Sequence, residues 1–380
     1  IYQTQENPVE IDTMALGMVS VYFNMVSKGI ESGDWTPADN AVDYIDKYQH
    51  KWGKNVVPSP TKVEIEVLYN KFNVFFYIMI AYCTVGGVLM ILSFIQLFSE
   101  SKILHRIINV CLGLLVVIFI IQAAGLGVRW YLTGHAPWSN GYEAIVFISW
   151  ISVLAGLLLY KNRNAFIPTT GAMVAVIMMG FAHGGSMLDP QITPLVPVLK
   201  SYWLIVHVAI IVSSYGFFGL SAILGVFSLI IMMIKPNKKI EISLKEMAYV
   251  SEMSLTIGIY LLAVGTFLGG MWANESWGRY WSWDPKETWA FVSVIVYAIV
   301  LHMRLVPGLR GKFAFNVAAM WAIWTVVMTY FGVNYYLSGL HSYAAGDPIP
   351  IPFWVPATAV GMLLLSFGAW YFQKKIYKTK

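Results

Sequence analysis

Charge is scarce in this sequence. Asp, Glu, Lys and Arg make up only 12% of its 380 residues, against 58% hydrophobic. A soluble domain carries about 25% charged residues, so a water-soluble fold is excluded and a polytopic membrane protein is predicted. Cysteine is nearly absent. Cys83 and Cys111 both sit inside apolar runs and form no CxxC, which excludes a disulfide framework and thiol redox chemistry. No glycine-rich nucleotide loop, catalytic triad or internal repeat is present. The sequence starts at Ile1 without an initiator Met or a signal-like apolar stretch, and the expectation is a piece of something longer.

The apolar runs are each near the roughly 20 residues that cross a bilayer. They fall at about 73–98, 107–128, 144–160, 165–184, 202–234, 248–271, 288–306, 313–338 and 353–373. The predicted fold is an all-α bundle of about nine transmembrane helices (72–380), with the fifth projecting beyond the bilayer. Residues 1–71 precede it as a small external helical lobe, the end of a larger extracytoplasmic region. The lobe has six basic and ten acidic residues; Thr36-Pro37 predicts a helix start, Gly53 its end, and a further helix begins near Thr61. His50 reads as a surface histidine. One set of connections holds 15 Lys and Arg and the opposite set only 4: Arg129, Lys200, Arg279 and Lys286. The basic side is cytoplasmic by the positive-inside rule, which puts the lobe outside and the C-terminus inside. The net charge of +5 belongs to that rim and argues for orientation, with no nucleic-acid partner.

One connection stands out. WANESWGRYWSWDPKETWAF, Trp272 to Phe291, holds five of the 15 tryptophans and lies at the outer face. Anchoring at the membrane interface accounts for one or two Trp. Five, together with Tyr280, Arg279, Asp284 and Lys286, suit a large flat apolar ligand with charged edges. Asp284-Pro285-Lys286-Glu287 also predicts a helix start, with Asp284 as cap and Glu287 completing a capping box. Structural and functional roles for these two carboxylates both remain open.

WGRYWSWDPKETW resembles the tryptophan-rich "WWD" signature of haem-handling proteins, and its WDPKETW ending is similar to the System II cytochrome c synthase (CcsA) family. The likeness extends over roughly residues 55 to 380. It implies a synthase subunit in the cytoplasmic membrane of a bacterium, acting with an upstream CcsB-like part, fused or separate. Such a unit exports haem b and holds it outside while the CxxCH thiols of an apocytochrome c add to its vinyl groups. The alternatives are a haem exporter or carrier without synthase activity, and a respiratory haem-b subunit.

Of seven histidines, His207 and His341 lie on the same side as the tryptophans, one before and one after the signature. With the family's pattern of one external histidine on each side, they are predicted as axial iron ligands and the catalytic pair. Trp277, Tyr280, Trp281 and Trp283 are predicted to pack on the porphyrin and Asp284 to shape the site, while Arg129 reads equally as the partner of a propionate or as a positional exception that snorkels outward. His302 sits within a span, where an ionisable group is a functional candidate. It matches the family's transmembrane histidine, whose companion lies in the upstream part. His105 reads as interfacial. His135 and His183 read as pocket-lining residues, without an assigned ligand role.

Overall fold

A computed structural model describes residues 13–99, 101–160, 164–184, 188–193, 201–341 and 350–378. Lys161, Arg163, Lys200 and Lys380, part of the basic-residue pattern, lie outside the described residues. The chain divides into two compact units, 1–71 and 72–380.

The first unit contains α1 (Thr13–Ser32), α2 (Thr36–Trp52) and most of α3 (Pro60–Phe72). Asp34 starts α2 from two residues upstream, its Oδ1 accepting the Thr36 N–H (3.1 Å) and hydroxyl (2.7 Å). Gly53 closes the helix by donating to the Gln49 carbonyl. His50 is exposed on this helix, beside Asp46.

The described regular structure of the second unit is helical, and its α-helices are α4 (Val74–Gln96), α5 (Lys102–Thr133), α6 (Gly141–Leu158), α7 (Phe166–Gly184), α8 (Tyr202–Met232), α9 (Lys238–Trp277), α10 (Pro285–His302), α11 (Lys312–Val327), α12 (Val333–Tyr336) and α13 (Trp354–Lys378). A π-helical segment, Met328–Gly332, joins α11 to α12. Among the described residues, nine helical segments are long and apolar enough to cross a membrane, as the hydrophobic runs predict. The protein is a multi-pass membrane protein.

The helices overshoot the apolar runs where charge hides a helical period. Helix α9 starts ten residues earlier than its predicted span. Lys238, Lys239, Glu241, Lys245 and Glu246 interrupt the hydropathy, while Ile240, Leu244, Met247 and Val250 bury one face at helical spacing. Asn237 caps it through Ile240 N.

Helix α8 is the most buried span and α13 the least. Where α8 meets α9, small residues let the backbones approach. A Cβ at Gly258 would come 2.6 Å from the Phe218 ring, and one at Gly265 would come 2.5 Å from Ile211. Ser221 and Ser251 share a hydrogen bond at 2.6 Å, and Ser254 donates to the Phe217 carbonyl. Gln122 joins three helices by accepting from Tyr82 and donating to Ser149 and the Val146 carbonyl. These bonds satisfy polar groups that have no water to turn to.

Several connections meet at one end of the bundle. Trp138, between α5 and α6, donates to the Ile205 carbonyl at the start of α8. Tyr330 donates to the Gly141 carbonyl. Arg129 near the end of α5 reaches the Pro190 and Gln191 carbonyls between α7 and α8. The tryptophan-rich connection joins the same end.

Candidate functional site

The tryptophan-rich stretch is a helix end, a short loop and a helix start. Gly278, at φ 72°, donates to the Asn274 carbonyl and stops α9 after Trp277, since glycine enters the left-handed region without a Cβ penalty. The loop then folds back, and a Cβ at Gly270 would come 3.0 Å from the Tyr280 carbonyl. Trp283 takes φ 59°, an uncommon conformation for a bulky residue. Asp284 and Glu287 form the capping box of α10, with Pro285 in its first turn.

Behind this loop lies a cavity of about 450 Å³, walled by His207, Val208, Trp272, Trp281, Lys286 and His341 among others. His207 comes from the first turns of α8 and His341 from the segment after α12, so the cavity brings together residues far apart in sequence. Trp272 is buried and touches both imidazoles, with ring centroids 5.6 Å from His207 and 5.8 Å from His341. Gly269 also lines the cavity, and a Cβ there would lie 3.4 Å from the His207 ring.

Both rings are held by one nitrogen. His207 Nδ1 faces the Trp203 carbonyl at 3.0 Å. His341 Nδ1 faces Asp284 Oδ1 at 2.9 Å. Each acceptor favours a proton on Nδ1 and leaves the Nε2 lone pair available, the arrangement usual for a metal-bound imidazole. Among the described residues neither Nε2 has a hydrogen-bond partner. Asp284 Oδ2 also accepts the Leu340 N–H at 2.6 Å, and a Cβ at Gly339 would collide with the carboxylate. The cap of α10 is therefore also the clamp that positions His341.

The electrostatics fit this division. Burial works to raise the Asp284 carboxyl, but hydrogen bonds from Lys286 N–H, His341 and Leu340 N–H outweigh it and hold the group below the usual carboxylate range. Burial lowers His341 below the ordinary imidazole value against the opposing pull of Asp284. The ring is neutral at neutral pH, as a ligand must be.

The other predicted residues separate into wall and support. Tyr280 and Trp281 line the cavity. Trp277 stands behind it, edge-on to His341 at 4.9 Å and packed on Trp272 at 4.6 Å. Trp283 is turned outward, 66% exposed, with its ring against Trp281 and Phe291. Its left-handed backbone points it away from the wall. Arg129, expected to meet a propionate, is 1% exposed and lies off the cavity wall. Its guanidinium pairs with Glu143 at 2.8 Å and reaches the two carbonyls noted above. His302 is exposed on the side of the bundle, its Nδ1 2.7 Å from the Ala298 carbonyl. His135 contacts Glu143, and His183 contacts Tyr142 and the Met179 carbonyl, both off the cavity wall. Trp138, Tyr215, Lys286, Tyr330 and Asn334 also line the cavity, and sequence reasoning gave none of them a specific ligand contact. Only Lys286 carried a hint, from its place inside the signature.

A family model for cytochrome c assembly proteins matches residues 138–341, from Trp138 on the cavity wall to His341. CcsA of Cyanophora paradoxa, a cytochrome c biogenesis protein, is 30% identical over 329 residues, covering 73% of this chain and 97% of the relative. The chain belongs to the CcsA family of cytochrome c assembly proteins. Another family member, CcsA of Mesostigma viride, is 35% identical over 276 residues, covering 65% of this chain and 89% of its own. NrfI of Wolinella succinogenes is 42% identical over 339 residues, covering 88% of this chain. The chain spans only 36% of the length of NrfI. Among solved structures, the cytochrome c haem lyase CcmF superposes with a TM-score of 0.51 at 15% identity, covering 80% of this chain and 51% of that one. That likeness is one of fold. Membership places this CcsA-family chain in cytochrome c biogenesis.

Proposed function

We propose that this protein binds haem b in the cavity behind the tryptophan loop and supports its covalent attachment to an apocytochrome c. The observation that carries this reading is the pair of cavity histidines, His207 and His341, each with Nδ1 engaged and, among the described residues, Nε2 unpartnered. Two imidazoles alone do not complete a metal site, and no cluster of three or more potential ligands occurs among the described residues. A porphyrin would bring the further donors to iron that two histidines lack. Trp272, Trp281 and Tyr280 offer the apolar walls that a macrocycle needs.

Haem would supply the vinyl groups to which the two thiols of CxxCH add. The chain's own residues do the rest. His207 and His341 would hold the iron, Asp284 fixes His341, Trp277 backs that ring, and the aromatic wall would exclude water. In this reading the cavity opens on the extracytoplasmic side, opposite the basic rim. His302, exposed on α10, forms a transmembrane waystation with a histidine from a CcsB-like partner.

The test is co-expression with an apocytochrome c, followed by haem staining of a denaturing gel. Stain on the cytochrome supports the synthase. Haem recovered only with this protein points to a carrier. Stain on neither protein would fit an ordinary b-type subunit, whose non-covalent haem leaves on denaturation, and sink the proposal.

A further inference from the structure

The haem reading leaves one requirement unmet by the predicted residues. A porphyrin with two carboxylates, lodged in an apolar cavity, needs a cationic partner for at least one of them. Arg129 is engaged by Glu143 and two main-chain carbonyls. Among the described residues that line the cavity, Lys286 is the one Lys or Arg. Its Nζ donates to Asn334 Oδ1 at 2.9 Å, and Asn334 lines the same cavity. An ammonium has three N–H donors, and this is the only hydrogen bond given to it by the described residues. Glu287, the cavity's one carboxylate, is turned to the Ser282 and Asp284 main-chain N–H groups and the Ser282 hydroxyl. It does not neutralise Lys286 by contact.

We infer that Lys286, steadied by Asn334, binds a carboxylate of the porphyrin and fixes which edge of the ligand faces this side of the cavity. The inference rests on the haem reading and deepens it. An axial bond alone leaves a macrocycle free to turn, and an aromatic wall holds a plane without choosing an edge. A single charged contact on the rim selects the edge. Lys286 also sits two residues beyond Asp284, on the same first turn of α10. One helix start therefore carries both the clamp on His341 and the anchor for the rim. That coupling sets which vinyl group faces an incoming thiol, so Lys286 is a specificity-determining residue.

The experiment uses the full chain in detergent micelles and two probes, iron protoporphyrin IX and its dimethyl ester, which keeps the ring and iron but has no carboxylate. Binding is followed by the absorbance of the histidine-ligated iron. Wild type should favour the free acid. Lys286→Met and Lys286→Gln should each weaken free-acid binding by roughly tenfold or more, as expected for a lost charge-assisted hydrogen bond. Ester binding should stay near the wild-type value, which also reports that the cavity is intact. Lys286→Arg should keep part of the preference. A wild-type preference retained in both neutral variants overturns the anchor, as do equal losses for the two probes. If wild type gives no histidine-ligated spectrum with either porphyrin, the haem reading falls and takes the anchor with it.

Discussion

His341 depends on a side chain 57 residues away, and that distance separates what sequence shows from what it hides. Asp284 is legible as a helix cap because its partners are local. Its hold on His341 and on Leu340 N–H depends on a loop folding back over α10. Asp284→Asn should keep the helix, since Asn caps as well as Asp. It should still weaken haem binding at His341 by roughly tenfold or more, about the worth of one charged hydrogen bond; unchanged binding by spectral titration would remove the clamp. His207→Ala and His341→Ala should each lose axial ligation, with partial recovery in added imidazole, and wild-type spectra in both would remove the ligands. The pH dependence follows from two lowered values. His341 takes up a proton only below the ordinary imidazole value of about 6.5, so ligation should persist as pH falls through 6.5 and fail at lower pH. The unfolded chain protonates first in that window, so acid also costs stability there. Asp284, held low, keeps its stabilising charge until the pH falls further, through its own folded value. A spectral titration that lost ligation above 6.5 would contradict the assignment. Among the rings, Trp281→Ala should reduce bound haem more than Trp283→Ala, because only Trp281 lines the cavity. Equal losses would return both to interface anchoring. Their composition marks the loop, but only the left-handed turn at Trp283 separates the inward ring from the outward one.

At the scale of elements, the nine apolar runs predict the spans well because hydropathy over about 20 residues is a strong signal in a bilayer. The ends were less legible. Charged residues conceal the first turns of α9, and residues 13–32 form a helix that the polar reading of the lobe did not anticipate. Arg129 shows the same limit from the other side. An arginine near an outer loop suggested a ligand contact, yet its ion pair with Glu143 and its bonds across to the segment at Pro190 are contacts between elements that no local pattern encodes. The pairing of α8 with α9 also bears on the site, because His207 rides on α8 and Trp272 on α9. A Cβ at Gly265 would come 3.1 Å from the main-chain nitrogen of Ile211, which lies one helical turn beyond His207. Gly265→Leu should push the helices apart at an overpacking cost of about 1–3 kcal/mol or more. Thermal stability should fall, and haem binding should weaken without any change to a cavity residue. A Gly265→Leu protein with wild-type stability and affinity would show that the close approach is dispensable.

For the whole molecule, the organising asymmetry is charge. The described connections at the cavity end carry Arg129, Arg279 and Lys286, while Lys102, Arg106, Lys235, Lys238, Lys239, Arg304, Arg310 and Lys312 cluster at the helix ends opposite. Arg129 is itself neutralised by Glu143, so the cavity end holds still less free positive charge than the count suggests. Under the proposed function, the positive-inside rule would turn the cavity to the extracytoplasmic side, where an apocytochrome would reach it. The two native cysteines make the test simple. In a Cys83→Ser, Cys111→Ser background, a single cysteine at Arg279 should react with a membrane-impermeant maleimide in intact cells. One at Arg310 should react only after the membrane is opened. Reaction at Arg310 and not at Arg279 in intact cells would reverse the orientation. It would place the cavity on the haem-supplying side, leaving a carrier that loads from the cytoplasm as the better account of the two histidines.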